Sequence, residues 1–303
     1  RAAQGDGEAL RAVLARFQEM ARRLGVEMDG ELRRAAAEIP ARGAEYAASR
    51  GEYLCALLLA RYLHWEFVDA AEVIRLREGR ADLELTYDLL PRRLKPLKNA
   101  VIPGFYGSDG AGNVCTFPRG GSDITGALVA AAMGACLYEN WTDVDGLQSA
   151  DPRLVENVRC VPALRYRQMR LLAGMGAQVL HPDSLLPVMR AGIPTALRDS
   201  FHPERPGTLV CAGAGTRVPC VSGRTLRSGE ALLAALCPDA FSVCGAAVEA
   251  LRGAGIQPRG LEAQRDQLLL RVRGRCLSDG LRVLHRALVV EGRAQAKTGP
   301  VPR

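Results

Sequence analysis

The sequence predicts an α/β protein built on a largely parallel sheet and followed by a smaller α+β module. Three observations lead to this fold class. Short apolar runs alternate with helical periodicities through the first two thirds of the chain, which is typical of a parallel α/β sheet. A glycine-rich loop over 117–123 opens an apolar helical run. The composition changes at the proline- and glycine-rich segment 203–207, where we expect a linker.

The first part of the chain is predicted to be mainly helical. Apolar residues recur at helical spacing up to Gly25, Pro40 should stop a second helix, and Ser49 is a candidate N-cap for a third. The predicted elements are helices over 10–24, 30–39 and 51–63, a short strand and turn over 64–70, a strand over 100–105 and a glycine-rich hairpin tip over 107–113.

Strands and helices alternate from the glycine-rich loop onward. Up to the linker we expect helices over 122–134, 164–173 and 183–191 and strands over 137–141 and 193–198. Beyond it we expect helices over 230–235, 241–254 and 278–290 and strands over 257–263 and 267–272. This pattern predicts two domains, residues 1–207 and 208–303.

Composition excludes several function classes. The net charge is +7, but only three basic residues are lysines, and the arginines are spread along all 303 residues. Without a basic patch interleaved with aromatic residues, we expect no nucleic-acid partner. A basic surface suits small anionic substrates instead.

The cysteines and the apolar runs bear on location. Nine cysteines are scattered and never spaced C-x-x-C, which favours small core residues over a disulfide framework or a zinc site. The apolar run 126–137 is shorter than the roughly 20 residues that span a bilayer. We therefore expect a cytoplasmic protein with no membrane segment and no protein-held metal.

The glycine-rich loop is a candidate anion site. Two glycines followed by Ser122 and a helical run allow backbone N–H groups to approach a ligand at the positive end of a helix. Arg119 supplies a planar fork for a carboxylate or phosphate, and Asp123 could orient that arginine or a substrate amine. An ordinary strand-to-helix turn is the alternative interpretation.

An acidic segment follows the strand predicted over 137–141. It contains Thr142, Asp143, Asp145 and Asp151, at the strand end where open α/β sheets bind ligands. Arg153 could form a salt bridge there or contact a phosphate. A solvated acidic turn is the alternative. His181 is expected to be structural, and His64, His202 and His285 are not expected to bind a metal.

These stretches together carry a family resemblance. Segments 117–134 and 141–153 resemble aspartate kinases of the amino-acid kinase superfamily. Further matches are Ser49-Arg50-Gly51-Glu52, the segment 176–182, and the segment 198–201 leading to Pro206-Gly207-Thr208. The resemblance covers roughly residues 40–210 and implies a three-layer αβα kinase fold with a mostly parallel sheet, whose first strands are missing here.

The resemblance also implies an activity and its residues. The activity is ATP- and Mg²⁺-dependent phosphorylation of the side-chain carboxylate of L-aspartate, the entry step to lysine, threonine and methionine. Glu52 would receive the substrate ammonium, Arg119 its α-carboxylate, and Ser122 would contact the substrate. Asp123 would help to organise the transferring phosphoryl group. The implied nucleotide-binding residues are Thr142, Asp143, Asp151, Arg153, Gln178 and Val179.

Departures from the family keep alternatives open. The lysine-containing glycine loop that opens the family is not found here, Gln148 stands in place of a tyrosine, and Gln178 in place of a lysine. We expect an N-terminally incomplete kinase. The alternatives are a non-catalytic relative that acts as an amino-acid-binding or regulatory subunit, and a related kinase with another carboxylate substrate.

The C-terminal region resembles an ACT domain, a regulatory fold that binds amino acids. The supporting stretch runs from Gly255 to His285. By this resemblance we expect an amino-acid effector at the ACT-like region and a homodimer.

Overall fold

A computed structural model describes residues 7–176, 180, 182–213, 215 and 218–291. The chain divides into two compact units, Arg1–Ala135 (unit 1) and Cys136–Arg303 (unit 2). The domain boundary expected after residue 207 stays a prediction.

Unit 1 begins with three helices that share one apolar cluster. The helices are α1 (Gly7–Leu24), α2 (Asp29–Glu38) and α3 (Ala44–Leu63). Phe17, Met28 and Leu54 are buried between them. The helix ends agree closely with the sequence prediction for α1 and α2, because Gly25 adopts a positive φ and Pro40 follows.

The start of α3 was predicted wrongly. Ser49 lies inside the helix, where its buried hydroxyl donates to the carbonyl of Tyr46 at 2.7 Å. The N-cap is Gly43, in a backbone conformation with φ of 85°. A mid-helix serine that bonds to the preceding turn and a capping serine give the same sequence signal.

The rest of unit 1 consists of small sheets and helices. Its remaining elements are β1 (Glu66–Phe67), α4 (Ala70–Val73), β2 (Leu76–Arg77), β3 (Arg80–Ala81), α5 (Leu83–Leu94), β4 (Ala100–Val101), β5 (Tyr106–Ser108), β6 (Val114–Thr116) and α6 (Gly121–Met133). Strands β1 and β4 pair in parallel, whereas β2–β3 and β5–β6 are antiparallel hairpins. Leu90, Tyr106 and Leu128 are buried in the cluster that joins α5, α6 and the hairpin.

Helix α5 lies where no element was predicted. Asp82 caps it by accepting a hydrogen bond from the backbone of Leu85 at 3.3 Å, and Pro91 is accommodated inside it. A proline in a helical pattern normally signals a helix end, which hid this element. The strand predicted over 100–105 is confirmed only at β4.

Unit 2 opens with a mixed four-stranded sheet. Its elements are β7 (Tyr138–Thr142), β8 (Ala163–Arg165), α7 (Tyr166–Gly174), α8 (Leu185–Ala191), β9 (Thr195–Asp199) and β10 (Thr208–Cys211). The strand order is β7-β9-β10-β8. Pairs β7–β9 and β8–β10 are parallel, and β9–β10 is antiparallel. Segment 203–207 therefore connects two neighbours of one sheet.

The second sheet of unit 2 is entirely antiparallel. Its elements are β11 (Cys220–Thr225), β12 (Glu230–Leu236), α9 (Ala240–Gly253), β13 (Gly260–Gln264), β14 (Gln267–Arg273) and α10 (Leu277–His285), with a π-helical extension over Arg286–Glu291. The strand order is β11-β12-β14-β13. This arrangement confirms the predicted α+β module, and the alternation before it confirms the α/β class.

The helix predicted over 230–235 is wrong, because this segment is strand β12. Five residues of β12 have no solvent exposure and lie between β11 and β14. A short, continuous apolar run carries no period that separates a buried strand from a buried helix, and its alanines and leucines favoured a helix. Pairing on both edges overrides that preference.

In the described part of the chain, no helix is long and apolar enough to cross a membrane.

We expect Gly207→Ala to destabilise the protein by about 2–4 kcal/mol, because overpacking adds to the strain of a positive φ. Gly207 has φ of 64°, and a Cβ atom there would lie 1.9 Å from the carbonyl oxygen of Leu197. Gly192 is the matched control, since its φ is 69° but a Cβ atom would meet nothing within 4 Å. Denaturant unfolding of both variants measures the difference. Equal losses, of about 1 kcal/mol each, would contradict the packing argument.

Candidate active site

The glycine-rich loop and the first turn of α6 pack closely against the backbone before β5. A Cβ atom on Gly121 would lie 2.8 Å from both the Cα atom of Phe105 and the Cβ atom of Phe117. Gly120 is the N-cap residue of α6, with φ of 60°. Both glycines are therefore required by geometry, the first by its backbone angle and the second by space.

Hydrogen bonds fix this junction. The backbone of Phe117 donates to the carbonyl of Phe105 at 2.9 Å. The hydroxyl of Thr125 accepts from the backbone of Phe105 at 3.3 Å and donates to the carbonyl of Gly121 at 2.8 Å. Phe105 itself has φ of 80°, an uncommon conformation for a residue with a side chain. The start of α6 is thus held in one position relative to the preceding loop.

The predicted anion-binding residues lie around this helix start. Arg119 and Ser122 are exposed, and Asp123 is half-buried in the first turn of α6. Within the described residues, the guanidinium of Arg119 forms no hydrogen bond or ion pair. Asp123 differs from Arg119 in this respect, because it already interacts with another group. The junction therefore presents a free cation beside the positive end of a helix, which suits an anionic group.

Glu52 lies on α3 in the same unit. Its side chain is half-buried, and the described part of the chain offers its carboxylate no hydrogen-bond or ion-pair partner. Helix α3 is tied to the hairpin before the glycine-rich loop, because the backbone of Thr116 donates to the Glu45 carboxylate at 2.9 Å. Unit 1 thus carries one free carboxylate and one free guanidinium among its predicted substrate-binding residues.

In unit 2, the acidic segment begins at the carboxyl end of β7. Thr142 is paired with Asp199 in the parallel register of β7 and β9, so both strands end at the same edge. The Thr142 hydroxyl donates to the carboxylate of Asp143 at 3.2 Å. Its carbonyl accepts from the backbone of Ser200 at 2.8 Å. The structure therefore brings Thr142 and Asp143 together at the sheet edge where α/β proteins bind ligands.

The acidic segment is anchored to β10 by one buried threonine. The Thr208 hydroxyl accepts from the backbone of Leu147 at 2.8 Å and donates to the carbonyl of Val161 at 2.7 Å. Gly146 has φ of 62°, and a Cβ atom there would lie 2.5 Å from that hydroxyl oxygen. Gln148 donates to the carbonyl of Asp145 at 2.6 Å. The segment is therefore a shaped loop rather than an unstructured acidic turn.

Asp151 and Arg153 bind each other. The guanidinium of Arg153 contacts both carboxylate oxygens of Asp151, at 3.0 and 2.7 Å, and its backbone N–H donates to the same carboxylate at 2.9 Å. The hydrogen bonds from Arg153 lower the pKa of Asp151 below its ordinary value. Asp151 therefore stays ionised and holds the arginine fork in a fixed orientation.

Ser149 connects this loop to the last helix of unit 2. Its buried hydroxyl lies 2.9 Å from Nε2 of His285, which is also buried. The backbone of Ser149 donates to the carbonyl of Arg159, and its carbonyl accepts from the backbone of Val221, each at 2.7 Å. Burial lowers the pKa of His285, and the positive charge of Arg159 lowers it further. At neutral pH the imidazole is therefore uncharged, and its contact with Ser149 joins α10 to the acidic loop.

Sequence reasoning gave no role to the pair at the end of β9. The carboxylate of Asp199 accepts from the backbone of Phe201 at 2.8 Å and lies 2.7 Å from Nδ1 of His202. The His202 hydrogen bond lowers the pKa of Asp199. Because Asp199 ends the strand beside β7, the parallel register was the signal that could have found it. Nearby, the guanidinium of Arg198 lies 5.0 Å from the ring centre of Trp141.

Gln178 and Val179, expected at the nucleotide, lie outside the described residues, as does His181. Among the described residues, no group of three or more histidine, cysteine, aspartate or glutamate side chains could hold a metal ion.

Comparisons with known proteins converge on one family. The profile of the Amino acid kinase family matches residues 5–199. Aspartokinase 3 of Bacillus subtilis is 38% identical over 169 residues, which are 53% of this chain and 37% of that protein. Lysine-sensitive aspartokinase 3 of Escherichia coli is 35% identical over 197 residues, 61% of this chain and 44% of that protein. The chain thus matches less than half the length of either relative.

A solved structure shares the fold. Aspartate kinase of Clostridium acetobutylicum superposes with a TM-score of 0.82 at 27% identity, covering 93% of this chain and 85% of that one. This similarity confirms the kinase-like fold that the sequence resemblance implied.

We expect acid to destabilise the protein partly through His285. Because the folded-state pKa is lowered, the unfolded chain takes up a proton first, below about pH 6.5. The stability is therefore complete above that pH and is lost as the pH falls towards the folded-state pKa. Denaturant unfolding at pH 7.5 and 5.5 should show a smaller loss for His285→Gln than for the unaltered chain. The exposed His64, replaced by asparagine, is the control and should keep the full loss. An identical loss in the His285 variant would contradict this role.

Proposed function

The chain belongs to the amino acid kinase family, and on that premise we propose that it phosphorylates the side-chain carboxylate of L-aspartate with ATP. Both relatives are aspartokinases. The family match over residues 5–199 includes the glycine-rich loop and the acidic loop. The observation that carries the proposal is the pair of free, opposite charges in unit 1, Arg119 and Glu52. Because the chain matches less than half the length of either relative, the aspartokinase activity is a proposal for this chain.

An α-amino acid needs one cation and one anion for recognition. Arg119 can bind the α-carboxylate through two parallel N–H···O hydrogen bonds, and Glu52 can accept the ammonium. Neither group has to break an internal ion pair first, so little of the binding energy is lost. The exposed hydroxyl of Ser122 is available for a further contact at the start of α6.

The transfer itself places few demands on the protein. The aspartate side chain is already ionised at neutral pH, so it needs no general base. One carboxylate oxygen bonds to the γ-phosphorus while the bond to the β–γ bridging oxygen breaks, giving 4-phospho-aspartate and ADP. Catalysis then consists of positioning and charge stabilisation. The amino end of α6 supplies part of the positive electrostatic field that stabilises the transferring phosphoryl group. Asp123, in the first turn of α6, helps to organise that group.

The nucleotide is assigned to unit 2. Thr142 and Asp143 lie at the shared strand edge, where the hydroxyl and carboxylate can bind ribose or base polar groups. The guanidinium of Arg153, which Asp151 orients, is the proposed phosphate contact. Gln178 and Val179 keep the nucleotide-edge role that the resemblance implies.

Magnesium is the proposed cofactor. The oxygen atoms of the nucleotide phosphates have the ligand chemistry that this ion prefers, so we propose that it binds together with ATP. When bound, the ion neutralises charge on the nucleotide phosphates.

The wider setting is also part of the proposal. We assign the chain to a kinase domain, expected over residues 1–207, and an ACT-like regulatory domain, expected over 208–303, of a cytoplasmic homodimer. Because β10 (Thr208–Cys211) belongs to the first sheet of unit 2, we place the start of the regulatory module at β11. The antiparallel sheet with α9 and α10 supports a separate regulatory module. One relative is described as lysine-sensitive, which supports an amino-acid effector at that module.

We predict that Arg119→Ala raises KM for aspartate about 10- to 100-fold, because it removes a charge-assisted carboxylate contact. Steady-state ADP release measures the change. Aspartate α-amide, which lacks the α-carboxylate charge, should be a similarly poor substrate for the unaltered protein. Its KM should rise little further in the Arg119→Ala variant.

The matched control is Arg16→Ala, an exposed arginine on α1 in the same unit, which should leave KM unchanged. Additive losses from the variant and the amide would show that Arg119 does not meet the α-carboxylate.

A further inference from the structure

A second cluster of charged residues in unit 1 lies apart from the residues assigned to aspartate. Helices α2 and α3 enclose a cavity of about 240 Å³. We call it the α2–α3 cavity. Its polar lining residues are Glu31, Arg34, Glu38, Arg42, Tyr46, Arg50, Tyr53 and Asp69.

Arg50 lies at the base of the α2–α3 cavity and is only 6% exposed. Its guanidinium carbon is 4.2 Å from the ring centres of both Tyr46 and Tyr53 and 5.5 Å from that of Tyr106. Its Nε and Nη2 atoms share a single acceptor, the Ser49 hydroxyl, at 3.1 and 3.0 Å. Within the described residues, Nη1 has no hydrogen-bond partner and the side chain forms no ion pair.

A buried cation without a counter-ion is costly. Three tyrosine rings offset part of that cost through cation–π contacts. The rings contribute no hydrogen-bond acceptor to the guanidinium plane, so Nη1 of Arg50 has no acceptor among the described residues.

Two of the three carboxylates that line the cavity are in ion pairs, and the third, Asp69, is bound only by neutral donors. Glu31 binds Arg61 at 2.6 and 3.0 Å, and the resulting hydrogen bonds lower its pKa. Glu38 accepts from the Tyr46 hydroxyl and from Arg42. Asp69 accepts from the Tyr106 hydroxyl at 2.6 Å and from the backbone of Ala71 at 3.0 Å.

Arg34 supplies a second free cation. It is exposed on α2, lines the cavity, and forms no hydrogen bond or ion pair within the described residues. The positive charge of Arg34 contributes to the lowered pKa values of Glu31 and Glu38, so it lies close to both. Among the described lining residues, the charges that no ion pair neutralises are Arg50, Arg34 and Asp69, so two positive charges face one negative charge.

We propose that the α2–α3 cavity is a second binding site, for a small molecule that carries a carboxylate or phosphate group. Arg50 binds the oxyanion at the base through its planar fork, and Arg34 closes over it from the surface. Glu52 and Arg119 do not line the cavity, so the site is separate from the proposed aspartate site. It can be occupied whether or not the chain turns over aspartate.

The test is calorimetric titration of the full chain at constant ionic strength, with inorganic phosphate and then succinate. We expect saturable binding of at least one of them. Arg34→Gln should weaken that binding about 10-fold, because it removes one of two charges without disturbing the core. Arg33→Gln is the matched control, since Arg33 is exposed on the same helix but does not line the cavity.

Arginine Nε–Hε NMR signals give a readout that does not depend on a buried substitution. The Arg50 signal, assigned from its loss in Arg50→Lys, should shift with the saturation of the ligand that binds. Saturable binding of phosphate would identify the recognised group as a phosphate, and saturable binding of succinate would identify it as a carboxylate. The proposal is overturned if neither anion binds, if the Arg33 and Arg34 variants weaken binding equally, or if only Arg119→Ala abolishes it.

Discussion

The close approach of α6 to the backbone at Phe105 is the constraint on which the geometry of unit 1 depends. Gly121 has no room for a Cβ atom, and the Thr125 hydroxyl joins the helix to the same backbone. Because these contacts fix the helix start, Arg119, Ser122 and Asp123 occupy set positions around one positive helix end. Pre-set positions matter for phosphoryl transfer, in which the protein contributes placement and charge more than covalent chemistry.

In unit 2, hydrogen bonds hold the acidic loop in a fixed position. Thr208 satisfies two backbone groups of the acidic loop, and Ser149 ties that loop to β11 and to His285. The same loop thus contacts both the strands of the kinase-like sheet and the last helix of the α+β module. A change in the packing of α10 would therefore act on Ser149, two residues before Asp151.

Much of this could be predicted from sequence, for identifiable reasons. Gly120 and Gly121, followed by an apolar run, are typical of a loop that opens a helix, so the start of α6 was predicted correctly. Strand β12 was missed because a short apolar run has no usable period, and α5 because Pro91 stands inside it. The Asp199–His202 pair and the α2–α3 cavity arise from contacts between elements distant in sequence. In particular, no local pattern shows that Arg50 is buried among three tyrosines.

The most direct test of the central claim is capture of the acyl phosphate. The purified 303-residue chain, supplied with Mg-ATP, L-aspartate and hydroxylamine, should form aspartyl hydroxamate in proportion to ADP. Glu52→Gln should reduce the yield, because it removes the charge that receives the ammonium. If ATP binds but no hydroxamate forms, the catalytic account is contradicted and the chain is a binding relative of the kinases.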